Sequence, residues 1–526
     1  MEDMDRVAEQ NAPNEKAVLR GRSLSSRAGI KTWGGDILVL TVGFFGPLAF
    51  SPYDLYILAI IAPALLIATC RDLSVQRAFW RGWLFGLGWF GVGVSWIYIA
   101  IHDFGYTSVP LALSLTGLFV AFLSLFPALL AGLVTFWFPH ESKCKYLLAW
   151  PAAWVLMEWF RGWILTGFPW LNLGYSQIES PLYGLAPILG VYGVSLAVVF
   201  SAGLILVAWY WLGRVRFMAF SGLGILWGLV FLLSYVPWTM AVGRPLQVSL
   251  IQGNIPQAIK WQPEQVKSTL ERYWQLTAKH WDSDLIVWPE GALPVFYHQV
   301  ADSYLASLAA EAQSHKADLL IGLPVFDQEK GKYYNGVLSL GSRQAFYYKR
   351  HLVPFGEYVP FDKYLRGLIN FFNLPMSSFS PGPKEQPLLQ VADYLVAISI
   401  CYEDAFGEEI ISALPEARLL VNVTNNAWYG DSLAPHQHLQ ISRMRALEAG
   451  RDLVRATTNG ISAIIDAKGA LQATTPQFKI ATLTGSVQPR IGATPYVLWG
   501  NGPTIGACLC MFAFGGYYQR LKGKRR

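Results

Sequence analysis

The sequence predicts a polytopic α-helical membrane protein of eight spans, with an α/β domain inserted between the seventh and the eighth. Three observations carry that reading. Long runs lack Asp, Glu, Lys and Arg altogether. The Lys and Arg residues outside the insert fall on one side of the predicted membrane. The stretch 242–493 alternates short apolar runs with amphipathic ones.

Composition sets the frame. Of 526 residues, 53% are hydrophobic and only 14% are charged, whereas soluble domains carry about 25% charged residues. Apolar surface is ample, so a disordered chain is excluded. Gly and Pro recur without a period, which excludes a collagen-like chain. The net charge of +6 raises the question of a nucleic-acid or anionic partner. The location of the charges answers it below.

The charge-free runs are 37–53, 55–70, 82–102, 104–140, 180–213, 217–243 and 491–519. About 20 apolar residues cross a hydrocarbon core of roughly 30 Å, so each run is a predicted span. A shorter run, 146–157, continues through Glu158 toward Arg161 and supplies the fifth. In a helix those two residues lie three apart on one face and are expected to pair near the interface. Aromatic residues such as Trp96, Tyr98, Trp209, Tyr210 and Trp211 mark run ends, as an interfacial belt requires.

With the N-terminus in the cytoplasm, eighteen Lys and Arg lie inside, and the short outside loops hold Arg161 alone. That is a strong positive-inside bias. Removing the fifth span would break the alternation. The predicted organisation is a cytoplasmic segment 1–36, seven spans over 37–241, an external domain 242–493, and a last span with a basic cytoplasmic tail over 494–526. No cleavage site is evident after the first apolar run, so it reads as an uncleaved anchor. The domain 242–493 holds 22 basic and 23 acidic residues, and the rest of the chain 19 and 12. The positive charge is therefore a mark of topology, and no nucleic-acid surface is predicted.

Within the insert, 246–254, 284–290, 318–326, 335–340, 394–404, 418–426, 451–458 and 462–469 read as strands, the last turning at Lys468–Gly469 into another. Stretches 263–281, 301–315 and 435–450 read as helices. The alternation predicts layered α/β architecture. Segment 366–383 is apolar, contains Pro and Gly, and lacks clean periodicity. It reads as a membrane-facing lid or as a loop folded on the core.

Cys401 is the only cysteine of the insert, so no disulfide can form within it. It reads either as a small core residue or as a reactive thiol. It follows the apolar run 397–400 and precedes Tyr402, Glu403 and Asp404. A thiol at such a strand-to-helix elbow lies near backbone N–H groups, which are expected to lower its pKa and to cradle an oxyanion. Glu290 ends a strand after Pro289, with Trp288 predicting partial burial, as suits a general base. Lys349 lies in YYKRHLVPFGEYVP (347–360), and a buried Lys there would stabilise an oxyanion. A solvated surface charge is the plain alternative for Glu290 and Lys349. His436 and His438, near Asp431, are not expected to hold a metal, since their spacing does not turn both rings one way.

WPE (288–290), YYKRHLVPFGEYVP and ICYED (400–404) occur in that order. Together they resemble the carbon–nitrogen hydrolase (nitrilase) superfamily. QGNIPQAIKW (252–261), LPMSSFSPGP (374–383) and the block 421–451 match as well. The resemblance implies a nitrilase-like αββα sandwich with Glu290 as general base, Lys349 as oxyanion stabiliser and Cys401 as nucleophile. It implies supporting roles for Glu357, which would hold Lys349, and for Glu403. Trp261, Asn335, Tyr402, Asn425 and Trp428 match active-site or substrate-binding positions. Phe371, Phe372, Leu374, Met376 and Phe379 would line or lid an acyl-chain entrance.

With eight spans around it, the domain resembles the branch of the superfamily that N-acylates lipoproteins at the bacterial inner membrane, with the catalytic domain periplasmic. That resemblance implies a membrane phospholipid as acyl donor and a thioester on Cys401. It implies the α-amine of a diacylglyceryl-cysteine, at the N-terminus of an apolipoprotein, as acceptor. No metal or cofactor is expected. Two other classes compete with this one. A membrane-tethered amidase or nitrilase acting on small C–N substrates would share the triad but would need neither the lid nor the spans. A scaffold or transporter would have no use for the triad, and the spans hold few internal charges.

Overall fold

The computed structural model describes residues 33–360 and 378–523. The membrane half comprises α1 (Trp33–Ala49), α2 (Leu58–Thr69), α3 (Val75–Gly93), α4 (Ile97–Phe104), α5 (Val109–Trp137), α6 (Trp150–Arg161), α7 (Ala186–Tyr210) and α8 (Arg214–Leu233). The inserted α/β half, named the catalytic half for the triad expected in it, follows, and α12 (Gly502–Gly523) returns beside the others.

Among the described residues, three helices are long and apolar enough to cross a membrane: α5, the helix ending at Tyr210 and α8. A fourth crossing exists if α3 and α4 count as one span bent by 62°. The first two predicted runs fold as shorter apolar helices. Leu118, Phe136, Trp209 and Phe217 lie on an outer surface and are all more than 60% exposed. Such an apolar belt would be insoluble in water, so the chain is membrane-associated.

Sequence details explain the packing. Ser74 caps α3 by accepting the Arg77 N–H. A Cβ on Gly82 or Gly86 would collide with the Pro127 carbonyl or with Ser124, so these glycines let α3 and α5 meet backbone to backbone. Glu158 and Arg161 do not pair as expected. Glu158 accepts from the Trp154 indole at 3.0 Å and the Leu173 N–H at 2.8 Å. Arg161 donates to the carbonyls of Phe168 and Trp170 and to Asn172. Both are buried, and the irregular loop after α6 offers them more backbone partners than they offer each other.

The catalytic half is built from two six-stranded sheets. The first runs in the order β12 (Ala481–Val487), β1 (Leu246–Gln252), β2 (Leu285–Val287), β3 (Asp318–Asp327), β4 (Lys332–Leu340), β5 (Ala345–Tyr348). The second runs β11 (Leu471–Thr474), β10 (Ala463–Ile465), β9 (Leu453–Thr457), β8 (Leu419–Thr424), β7 (Tyr394–Ile400), β6 (Leu389–Val391). The parallel centres β1–β2–β3 and β7–β8–β9 are almost wholly buried and rich in Leu, Ile and Val, as strands covered on both faces are.

Val248, Leu250, Val287 and Leu320 of the first sheet pack on Val396, Ile398, Val421 and Val454 of the second. Helices α9 (Pro263–Thr277) and α10 (Ala306–His315) cover the outside of the first sheet through Tyr273, Leu308 and Ala312. Helix α11 (Leu433–Ala449) covers the second through Leu439, Ala446 and Ala449. This is the αββα order that the motifs imply.

The opposite face of α11 enters the membrane half: Ala434, Ile441, Met444 and Leu447 share a core with α3 and α7. Gln437 donates to the Gly93 carbonyl and accepts from the indoles of Trp96 and Trp170. Gln440 donates to Asp54, and Glu448 accepts the Val191 N–H. Ser432 caps its start, and Gly450 at φ +59° closes its end.

Strand β7 stops at Ile400 rather than running on to Asp404, because Cys401 adopts φ +52° and starts a short helical turn, Cys401–Ala405. Helix α10 starts at Ala306, five residues later than expected, after an irregular turn over Ala301–Leu305. Strands β5 and β6 are only four and three residues long, and β12 lies far in sequence from its partner β1, so all three are placed by their neighbours.

Candidate active site

Glu290 follows β2, Asn335 lies on β4, Lys349 follows β5, and Cys401 follows β7. These chain positions converge at one edge of the sandwich. Asn335 is the hub. Its Nδ2 donates to Glu290 Oε1 at 2.7 Å and to Glu357 Oε1 at 3.0 Å, and its carbonyl accepts the Lys349 N–H at 2.8 Å. Lys349 Nζ lies 2.8 Å from Glu357 Oε1 and 3.4 Å from Glu290 Oε1. The second oxygen of each carboxylate is also held. Glu290 Oε2 accepts the Asn425 N–H, and Glu357 Oε2 accepts the Val353 N–H, both at 2.8 Å. Gly322 lies under Glu290, and a Cβ there would stand 2.8 Å from the Glu290 Cα.

Lys349 is fully enclosed, and Glu290 and Glu357 are nearly so. Burial alone pulls the Lys349 ammonium down, but Glu357 and Glu290 outweigh it and hold the group well above the usual lysine range. It is therefore a fixed positive charge. Cys401 departs from expectation. Burial pushes its thiol up to about 12, the Glu290 charge pushes the same way, and Lys349 pulls it down. The elbow does not deliver a resting thiolate. Desolvation exceeds what local dipoles supply, so the thiol needs a base at the moment of reaction.

Glu403 is turned away from this cluster. Its Oε1 accepts the N–H groups of Arg350 and His351, and its Oε2 accepts the Ile400 N–H and the Tyr347 hydroxyl. It fastens the Lys349 loop to the Cys401 elbow. Asn425 reaches Glu290 with its main chain, while its side chain donates to Gln257. Tyr402 is stacked on Trp170 and donates to the Gly167 carbonyl, so its ring belongs to the contact with the membrane half. Trp428 meets Phe104 of α4 edge-on at 5.6 Å.

Phe379 is buried, and its N–H donates to the Glu357 carbonyl. It also lines a cavity of about 630 Å³ between the two halves, with Trp159, Trp163, Tyr192 and Phe406. Phe371, Phe372, Leu374 and Met376 lie outside the described residues.

Two side chains escaped the sequence reading. Lys260, beside Trp261, is fully buried with Nζ 3.4 Å from the Glu290 carbonyl, and burial pulls its ammonium down to about 8. Gln257 is the partner of Asn425. Both sit in QGNIPQAIKW (252–261), where neither residue type nor spacing signals burial. His436 meets Gln477 while His438 meets Asp404, so the two imidazoles face different partners.

Residues 42–204 match the family model described as the apolipoprotein N-acyltransferase N-terminal domain, and residues 247–496 match the carbon–nitrogen hydrolase model. The apolipoprotein N-acyltransferase of Methylococcus capsulatus is 46% identical over 472 residues, covering 90% of this chain and 94% of the relative. That of Pseudomonas aeruginosa is 42% identical and covers 94% of this chain and 98% of the relative. That of Coxiella burnetii is 41% identical, with 90% and 97% covered. Two family models in tandem, and relatives matched over nearly their whole length, place the chain in the apolipoprotein N-acyltransferase family.

Proposed function

We propose that the chain N-acylates lipoproteins, taking an acyl group from a membrane phospholipid and passing it through a thioester on Cys401 to the α-amine of a diacylglyceryl-cysteine. The observation that carries this reading is the enclosed set of Glu290, Lys349 and Glu357, bridged by Asn335, in which the three charges act on the Cys401 thiol.

The proposed steps use these groups in turn. Glu290 takes the proton from Cys401 Sγ as sulfur attacks the ester carbonyl carbon. The carbonyl oxygen becomes an oxyanion held by Lys349, whose charge Glu357 keeps in place. The intermediate collapses, the ester C–O bond breaks, and the lysophospholipid alkoxide takes the proton from Glu290. The acceptor amine then attacks the thioester and gives a proton to Glu290. The C–S bond breaks, and that proton returns to sulfur. The donor leaves before the acceptor reacts, a ping-pong course. No step calls for a metal or cofactor.

The proposed topology has eight crossings with both termini in the cytoplasm and 242–493 on the periplasmic face of the bacterial inner membrane. Its support is the one-sided distribution of Lys and Arg. The domain limits of 37–241 and 494–526 for the membrane parts belong to the same proposal. Trp261, Asn425 and Trp428 are assigned to substrate binding, and Phe371, Phe372, Leu374, Met376 and Phe379 to the acyl entrance.

The test is direct. The protein is incubated with phospholipid and the mass of the Cys401 peptide is measured, then a diacylglyceryl peptide is added. A thioester followed by N-acyl peptide is expected. Free fatty acid alone would point to a hydrolase, and an adduct independent of Cys401 would remove the nucleophile assignment.

A further inference from the structure

Behind the nucleophile elbow lies a fully buried polar network that the proposed steps leave unused. Asp404 Oδ1 is 2.7 Å from His438 Nε2, and the same nitrogen is 3.2 Å from the Cys401 carbonyl oxygen. Asp404 Oδ2 accepts from Arg455 at 3.2 Å and from the Ser442 hydroxyl. Asn426 Oδ1 accepts from Arg455 at 3.0 Å, which leaves its Nδ2 to face His438 Nδ1 at 3.1 Å. His438, Asp404 and Arg455 are all within a few per cent of complete burial.

These contacts settle the tautomer. Arg455 has only donors, so Asn426 Oδ1 must accept and Asn426 Nδ2 must donate. His438 Nδ1 is then the bare acceptor and Nε2 carries the proton. Burial and the Arg455 charge hold the imidazole below its ordinary pKa, so the ring is neutral. Its one N–H is shared between the Asp404 carboxylate and the Cys401 carbonyl.

That carbonyl matters. Cys401 has φ +52°, a left-handed conformation that costs a non-glycine residue of order 1–3 kcal/mol and persists only where the surroundings enforce it. The peptide is planar and trans, so holding the Cys401 C=O toward His438 directs the Tyr402 N–H to the opposite side.

We propose that His438, locked by Asp404 and Asn426, is a positioning residue that fixes the Cys401–Tyr402 peptide plane and thereby aims both the thiol and the Tyr402 N–H at the reacting carbonyl. The inference rests on Cys401 being the nucleophile, as proposed above.

The test uses the full chain in detergent with phospholipid, following the rate of thioester formation on Cys401 and the lipid concentration at half-maximal rate. His438→Gln places an amide nitrogen near the reach of Nε2, whereas His438→Asn reaches only as far as Nδ1. His438→Asn is expected to slow acylation about 100-fold, the scale of an ångström of misplacement, with half-saturation unchanged. His438→Gln is expected to stay within about tenfold of the parent. Equal rates for the two variants, at any level, overturn the proposal.

Should His438→Asn fail to fold, Asp404→Asn serves. Its acceptor oxygen stays with Arg455 and Ser442, so its amide nitrogen meets the His438 N–H donor to donor and forces the other tautomer. Slow acylation at unchanged half-saturation is expected, and a parental rate overturns the proposal. If the parent protein itself forms no thioester, the nucleophile assignment is what fails.

Discussion

The main-chain N–H of Asn425 donates to Glu290 Oε2 at 2.8 Å, and this one bond joins the two sheets at their reactive edge. Glu290 follows β2 of the first sheet and Asn425 directly follows β8 of the second. The carboxylate assigned as base is thus oriented by the same sheet that carries Cys401. Asn335 holds the other carboxylate oxygen from within the first sheet, so the group is fixed from both sides.

The Cys401 thiol feels Glu290 and Lys349 in opposite senses, which separates reactivity toward a small electrophile from catalysis. In Glu290→Gln the repelling charge is gone, and alkylation of Cys401 by iodoacetamide at pH 8 is expected to speed up several-fold. Thioester formation from phospholipid is expected to fall by about 100-fold or more, as for loss of a general base. Lys349→Met is expected to slow both. The two rates, measured side by side, check the assignment. Equal responses of alkylation to the two substitutions would contradict it.

Glu357 holds a fully enclosed ammonium, so removing its charge leaves Lys349 short of a partner. Glu357→Gln is expected to cost about 3 kcal/mol of stability, the scale of breaking one side of a buried pair. Adding Lys349→Met to that variant is expected to return most of the stability and none of the activity. Thermal unfolding and acylation assays on the single and double variants would show it. A double variant less stable than the single one would sink the idea.

Asn335 bridges the two carboxylates through one amide nitrogen. Asn335→Ala is expected to lower the acylation rate by about 100-fold through misplacement alone. Asn335→Asp is expected to be worse, because a third carboxylate adds repulsion to the lost donor. The ladder between β3 and β4 pairs through the backbone, so both variants are expected to fold. Single-turnover acylation gives the order, and an Asp variant faster than Ala would count against the bridging role.

Glu448, on α11, offers a pH prediction away from the site. Burial pushes its carboxyl from 4.5 up to about 7, although Arg445 beside it pulls the other way. The folded chain therefore binds this proton more tightly than the unfolded chain does. The stabilisation is fully present below about pH 4.5 and is lost as pH rises through about 7. Glu448→Gln is expected to flatten that part of the stability profile. Melting temperatures between pH 5 and 8 for the parent and the variant provide the comparison.

Much of the catalytic half was legible because its central strands are buried on both faces, which leaves short runs rich in Leu, Ile and Val. The edge strands β5, β6 and β12 were not: β5 and β6 are only four and three residues long, and β12 pairs with β1, a neighbour distant in sequence. Glu290 could be picked out as a strand end, Lys349 from the charged block YYKRHLVPFGEYVP, and Cys401 as a lone thiol at an elbow. The pKa of Cys401 could not, because local dipoles are visible in a sequence and desolvation by a distant layer is not. Helix α11 hid its role for a related reason. Its polar residues are spread around every face and bury nonetheless, in partners drawn from both halves of the chain. His438 is therefore uninformative in the sequence, because its partners Asp404 and the Cys401 carbonyl lie more than 30 residues away.

That helix bears on how the enzyme can be divided. Ile441, Met444 and Leu447 sit in the core of the membrane half, and each apolar side chain of this size is worth roughly 1.5–3 kcal/mol when buried. Cutting at residues 242 and 493 would strip that face and leave Gln437, Gln440 and Glu448 without their membrane-side partners. The outer layer of the sandwich is shared property, a party wall rather than a façade. A secreted piece of the chain is expected to aggregate even though its strands are complete, and thioester chemistry to be recovered only when both halves are made together.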